Sequence, residues 1–432
     1  MKQFILATLF TLNTLLIHPV TAKALSSTEA QISSYVLAQH ENQLNLLEKL
    51  VNINSGTENI AGVKQVGNIL IPLFTQLGFT TQWIDTPPTM HRAGTLIAQH
   101  KGHKGKRLLL IGHMDTVFPI NSPLQKFIRQ GDLATGPGVI DDKGGVVVIL
   151  YALRALHKAH ALDDATITII LTGDEEDSGK PTSISRKALI EAARNSDIAL
   201  DFEWAVTNDT ATIARRGISN WLIKTQGKEA HSSEIFQEKA GDGAIFELAR
   251  ILHQMRIQLS SEQYLSFNPG LILGGTTTSY DVHRSAGNAF GKTNVIAKTA
   301  MAKGDLRFLS TAQKEGAEKR ILAIVNQHLP VTNASVAFEE GIPAMPPTPQ
   351  NLQLLQLYSE ASTALGYGAI KPLDPGLRGA GDISYIASMV SANLAGLGPV
   401  GTGAHSINET LNVPSLSMQT QRAALLMYHL IS

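Results

Sequence analysis

The stretch from Leu108 to Pro119, LLLIGHMDTVFP, constrains the fold more than any other. Its apolar run suits a buried strand and stops abruptly at His113, with Asp115 two residues on. Side chains on a strand alternate faces, so residues two apart point the same way. Asp115 can therefore bond one imidazole nitrogen of His113 and leave the other free for a metal, which fixes the tautomer and raises ligand basicity. A lone His-x-Asp pair equally fits a satisfied surface histidine. The surrounding sequence decides between the two.

Further strands are expected near 80–84, 94–100, 166–172 and 198–202, alternating with helices. One amphipathic helix is expected over 28–51, a second up to about Leu77, and a third, apolar almost all round, from Gly144 to His160. Such alternation implies an α/β fold with a mixed, mostly parallel sheet flanked by helices. The pattern changes at Ala214. A β-α-β-β-α-β order follows, with helices near 243–258 and 312–328, and it implies an inserted α+β sandwich domain. Pro343, Pro346, Pro347 and Pro349 mark a linker, after which helix–strand alternation resumes. The expected divisions are a leader at 1–24, a first catalytic piece at 25–213, the insert at 214–340 and a second catalytic piece at 341–432.

At 432 residues, 43% of them hydrophobic and 17% charged, the chain is long enough for two folded domains. Its 36 basic and 36 acidic residues balance, which removes the electrostatic reason for a nucleic-acid or anionic-membrane partner. Lys2, the apolar stretch Phe4 to Ile17 and Ala22-Lys23-Ala24 have the three-part form of a signal peptide cleaved after Ala24 or Ala22. The protein is then exported, to a periplasm or to the medium, with no membrane attachment after cleavage. There is no cysteine, so a bound metal must be held by His, Asp and Glu.

Such residues recur where strands are expected to end. Asp141 lies in the glycine-rich turn GPGVIDDKGG that opens the apolar helix, Glu175 and Glu176 in TGDEEDSG, Glu203 in FEW, and His405 in GAHSINE. Singly, Asp141 fits a helix cap and the acidic run a solvated loop. Together they form a nitrogen and oxygen set suited to zinc, because ligands of α/β sheets bind at the carboxyl ends of strands. Unbalanced, so many carboxylates would cost several kcal/mol each, which a pair of dications removes.

In this order the motifs, with GKEAHS, NVI (294–296) and GDLRF, resemble the co-catalytic zinc carboxypeptidase/deacylase family, which includes glutamate carboxypeptidase and succinyl-diaminopimelate desuccinylase. The resemblance runs from Asn54 almost to the end of the chain. It implies a zinc-exopeptidase fold whose insert forms a lid and a homodimer. It also implies two Zn²⁺ per chain, replaceable by Co²⁺ or Mn²⁺. One would be held by His113, Asp141 and Glu203, the other by Asp141, Glu176 and His405, with a cis peptide after the bridging Asp141. Glu175 would be the general base beside Asp115, and His231 an oxyanion donor reaching across the dimer. Arg307 and Asn294 would bind the substrate's free carboxylate, and Gly381 would border its pocket. One departure stands out. Glutamate-specific relatives carry arginines where this chain reads Glu339-Glu340-Gly341-Ile342-Pro343-Ala344, so a preference shifted away from glutamate is expected.

These readings imply an exported zinc exopeptidase of carboxypeptidase type acting on a small peptide. N-acyl-amino-acid deacylase and dipeptidase are the alternatives among enzymes. Outside them stands a non-catalytic peptide- or metal-binding protein.

Overall fold

The apolar strand Lys104–His113 runs through the middle of a six-stranded sheet. The strand order is Thr80–Ile84, Thr95–His100, Ala165–Thr172, Lys104–His113, Ile198–Asp201 and Ala392–Leu394. The last four strands are mutually parallel, and Thr95–His100 and Thr80–Ile84 add one antiparallel edge. This is the mixed, mostly parallel sheet expected from the sequence. The computed structural model describes residues 24–282 and 284–432. The leader expected over 1–24 lies, but for Ala24, outside them. Among the described residues no helix is long and apolar enough to cross a membrane.

Register sets the site. His113 pairs with Thr172, and Ile111 with Asp201, so the parallel strands end level with one another. The segments carrying His113, Glu175, Glu176 and Glu203 therefore leave the sheet at the same edge, where α/β folds place their ligands. Lys143–Lys158, expected to be apolar all round, is buried from Lys143 to Leu153 and packs against the C-terminal helix Val413–Ile431. Val147, Ile149, Leu150 and Leu153 lose all contact with water, at about 1.5–3 kcal/mol each.

The single helix expected over 28–51 is two, Ser27–Ala38 and His40–Val51, broken at Gln39. Tertiary partners account for the break. His40 Nδ1 meets Ser417 Oγ on the C-terminal helix at 2.7 Å, and Gln43 Nε2 donates to the carbonyl of Val36 at 3.1 Å. The same carbonyl also accepts the Gln39 N–H at 3.1 Å, so the helix end is tied from two sides.

Residues 217–342 build a separate four-stranded antiparallel sheet, ordered Ser266–Gly275, Thr299–Phe308, Gly217–Gly227 and Thr332–Ile342. Helices Gly243–Leu259 and Thr311–Val325 pack on it around a core that includes Trp221, Ile251, Met255 and Ile321. The entering and leaving chains lie side by side. Arg215 N–H donates to Met345 O at 2.8 Å, and Met345 N–H returns the bond at 3.0 Å.

Candidate metal centre and active site

His113 ends its strand with Nε2 facing Asp141 Oδ1 at 3.0 Å. Its Nδ1 turns the other way, 3.1 Å from the carbonyl of Asp115 and 3.4 Å from that residue's Oδ1. Asp115 thus orients the ring with its backbone at least as closely as with its carboxylate. Asp141 closes the glycine turn before helix Lys143–Lys158, and its peptide with Asp142 is cis, as the resemblance implies. The other oxygen of Asp141 meets His405 Nε2 at 2.9 Å, and the same nitrogen lies 3.1 Å from Glu176 Oε2. His405 reaches in from a loop where its own backbone is left-handed, at φ 63°. Asp141 accordingly stands between two histidines, and His113, Asp141 and Glu176 each bring one ligand atom within 4.8 Å of the others.

The donor chemistry fits a divalent ion. Glu176 Oε1 is shielded from water and has no hydrogen-bond partner. Burial pushes the Glu176 carboxyl up to about 7, with the Asp141 charge adding to it and the His405 bond opposing. Hydrogen bonds to Asp141 and Glu176 push His405 up to about 11. Burial disfavours charge on His113 too, yet Asp115 and Asp141 hold its pKa well above the ordinary value. Positive charge is what the cluster calls for.

Asp115 does more than face His113. It is wholly buried, and its carboxylate accepts the backbone N–H groups of Glu175 and Glu176, each at 3.1 Å, and Thr57 Oγ1 at 2.7 Å. Expected among the catalytic residues, it holds through these bonds the loop bearing both glutamates. Glu175 is half-buried and lines a cavity of about 140 Å³ with Asp141, Glu203 and His405. Burial, then the neighbouring Glu203 charge, raise its pKa well above the usual range. A larger cavity of about 760 Å³ opens beside Glu176, walled by Val117, Pro119 and Ile120.

Glu203 lies beyond the close cluster of three. Its Oε2 accepts from Arg215 Nη2 at 2.9 Å and from Arg378 Nη2, while Arg215 Nη1 holds Asp201 at 2.9 Å. Gly381 explains itself here. A Cβ at that position would lie 2.5 Å from Arg215 Nη1 and 2.6 Å from Glu203 Oε1. Gly381→Ala is therefore expected to displace the arginine–glutamate pair, costing about 1–3 kcal/mol of stability and up to ~10²-fold in kcat. Thermal melting and steady-state rates check this, and a variant matching the native protein in both would contradict it.

Of the other expected site residues, Arg307 comes nearest. Its Nε pairs with Asp305 at 3.0 Å, and Nη1 would sit 3.8 Å from a Cβ on Gly379 at the cavity wall. His231 and Asn294 meet each other through the bridge His231–Val295 and the bond from Ser232 N–H to Asn294 O at 3.0 Å. Both are exposed, and within one chain neither lines the cavities at the cluster.

Four contributors were not singled out by the sequence reading. Glu409, buried, accepts the N–H groups of Gly138, Ile140 and Asp141 at 3.0, 2.9 and 3.1 Å and so shapes the turn that presents Asp141. It stands inside the quoted GAHSINE motif, which was the available signal. Arg186 ties Asp174 to Asp382 beneath the glutamate loop. Arg378 and Arg215 enclose Glu203.

Residues 109–429 match the family model described as Peptidase family M20/M25/M40. The chain is 30% identical over 369 residues to carboxypeptidase G2 of Pseudomonas sp. (strain RS-16), covering 83% of this chain and 82% of that one. Its fold is similar to that of aminopeptidase PepT from Bacillus cereus, with a TM-score of 0.73 at 20% identity over 91% of this chain and 99% of that one. It is also similar to the Bacillus subtilis YXEP protein, described as a dinuclear metal-binding peptidase, with a TM-score of 0.61 at 16% identity over 91% and 99% of the two chains. With its His–Asp–Glu cluster at the carboxyl edge of the sheet, the chain belongs to peptidase family M20/M25/M40 and is a metal-dependent hydrolase of that type.

Proposed function

We propose that this protein is an exported, zinc-dependent exopeptidase of carboxypeptidase type, cleaving an amide next to a free C-terminal carboxylate. The observation that carries the reading is the placement of Glu175 beside the His113–Asp141–Glu176 cluster, in the wall of the smaller cavity, with the larger one opening at Glu176. Two zinc ions would be held by His113, Asp141 and Glu203 and by Asp141, Glu176 and His405. Bound there, they supply Lewis acidity that polarises the scissile carbonyl and acidifies the attacking water. Glu175 takes the proton from that water and returns it to the leaving amine, a task suited to a carboxyl whose proton affinity burial has raised. Asp115 and Thr57 hold the Glu175 loop still meanwhile. The larger cavity, walled by Val117, Pro119 and Ile120, receives the acyl side, and the smaller one the departing amino acid.

His231 is assigned to the oxyanion and Asn294 and Arg307 to the substrate carboxylate, completed by a second copy of the chain. Exposed Ile245 and Phe246 on helix Gly243–Leu259, and the edge strand Ser266–Gly275, support the 214–340 insert as the homodimer contact. Residues 1–24 are taken as the leader that exports the chain, and 25–213 with 341–432 as one catalytic domain in two pieces. Glu340, paired with Lys314 at 2.6 Å, lies in the segment 339–344 where glutamate-specific relatives carry arginines, which supports a preference for leucine or lysine over glutamate as the released residue.

The test is a panel of benzoyl- and pteroyl-capped amino acids, N-acyl amino acids and free dipeptides, incubated with the zinc-loaded chain with and without chelator, products read by mass spectrometry. Release from capped substrates that stops in chelator is expected. Turnover of N-acetyl and N-succinyl amino acids, with none of the benzoyl- or pteroyl-capped ones, would make the protein a deacylase, and of free dipeptides alone a dipeptidase. No turnover with zinc bound would replace the enzyme reading by a binding one.

A further inference from the structure

Two arginines reach Glu203, and they are not equivalent. Arg215 is fully engaged: Nε donates to Gly379 O at 2.8 Å, Nη1 to Asp201 at 2.9 Å, and Nη2 to Glu203 at 2.9 Å and Ala380 O at 3.0 Å. That arginine alone suffices to orient Glu203. Arg378 is only 3% exposed and touches Glu203 through Nη2, while its Nε and Nη1 are shielded from water without any partner. A permanently charged group with unused donors out of reach of solvent is costly, and native proteins seldom keep one without a use.

Its surroundings show what the use is. The guanidinium carbon lies over the Trp204 ring, 3.8 Å from its centroid, a cation–π contact that helps fix its place. It borders the same cavity of about 140 Å³ as Glu175 and Asp141. The other side chains facing that space are acidic or apolar, apart from His405 and the spent Arg215. Arg307 Nη1 approaches the next residue of the same loop, Gly379. A guanidinium offers only donors, in a fork matched to a carboxylate.

We propose that Arg378 is a substrate-binding residue that takes the free α-carboxylate of the departing amino acid, opposite Arg307 across Gly379. This rests on the exopeptidase reading and adds to it a contact made within the chain, on the loop that closes the cavity. Glu203 loses nothing essential when Arg378 turns to substrate, because Arg215 keeps hold of it.

The experiment compares kcat and KM for the best capped amino acid of the panel and for its C-terminal carboxamide, in the zinc-loaded native protein, Arg378→Met and Arg378→Lys. The native protein is expected to favour the acid strongly. Arg378→Met should raise KM for the acid by about 10–150-fold, the loss of a charged hydrogen bond, and change the carboxamide's by less than about threefold. Arg378→Lys should recover part of the preference, with zinc content and melting temperature near native in that variant. Equal losses on acid and carboxamide, or zinc lost from the Lys variant, would show Arg378 to act only through Glu203 and overturn the assignment. A native protein that cleaves both substrates equally well would overturn it as well and leave the hydrolase reading intact. Cleavage of neither would overturn both.

Discussion

Glu175→Gln is expected to lower kcat by about 10²–10⁴-fold, with zinc content and the melting curve unchanged. Glutamine fills the same space and keeps the backbone N–H that Asp115 Oδ1 accepts at 3.1 Å, so the loop stays in place. What it loses is proton affinity. The Glu175 carboxyl is tuned for proton exchange by its burial and by the charge of Glu203, and an amide cannot accept the proton of the attacking water. Its neighbour Glu176 differs in role, being one of the three residues whose ligand atoms converge. Glu176→Gln should therefore lose zinc as well as rate. Rates from stopped assays, with metal analysis on the same samples, separate the two effects. A Glu175→Gln protein turning over at the native rate would remove Glu175 from the mechanism.

The largest effect on stability is expected at Arg186, 1% exposed beneath the same loop. Its Nη1 meets Asp174 Oδ1 at 2.7 Å, its Nε meets Asp382 Oδ1 at 2.6 Å, and its Nη2 donates to Asp174 O and Ser178 Oγ, both at 2.9 Å. Arg186→Met leaves two buried carboxylates without their cation, at a cost of about 3–5 kcal/mol. Burial already holds the Asp382 carboxyl above its ordinary value, with Arg186 opposing, and removal of the arginine drives it further up. A carboxyl whose pKa is higher in the folded than in the unfolded chain takes up a proton on folding. Stability then falls as pH rises from the unfolded value through the folded one. The melting deficit of Arg186→Met should consequently be larger at pH 8 than at pH 5, and Asp382→Asn in the same chain should restore part of it. A deficit that is small and independent of pH would show that the network contributes little.

Much of this molecule is legible in its sequence because the determinants are local. Leu108–Ile111 and Ile167–Leu171 are apolar runs of strand length, and the acids and His113 follow them directly, so strand ends and candidate ligands were found together. What escaped depends on partners distant in the chain. The break at Gln39 answers to Ser417 on the last helix, and the Asp141 turn is shaped by Glu409. Arg186, Arg215 and Arg378 carry no local pattern that separates a buried clamp from a solvated arginine. Their meaning appears only when Asp174, Asp382 and Glu203 are brought to them. At Gly381, expected to border the pocket, the lack of a side chain also makes room for Arg215 and Glu203, which no local pattern announces.

The grip of Glu409 on the turn at Gly138–Asp141 also sets an order of assembly during synthesis. The chain must travel from the strand ends through the whole antiparallel sheet of residues 217–342 before His405 and Glu409 emerge. A nascent chain stopped before Gly401 already holds His113, Asp141, Glu175, Glu176 and Glu203, yet the N–H groups of Gly138, Ile140 and Asp141 have no acceptor and Asp141 faces one histidine instead of two. Long-range closure of this kind is slow to form and comes late. His405 and Glu409 thus follow the antiparallel sheet in the chain, and the cluster around Asp141 closes only once segments from both sides of that sheet have met.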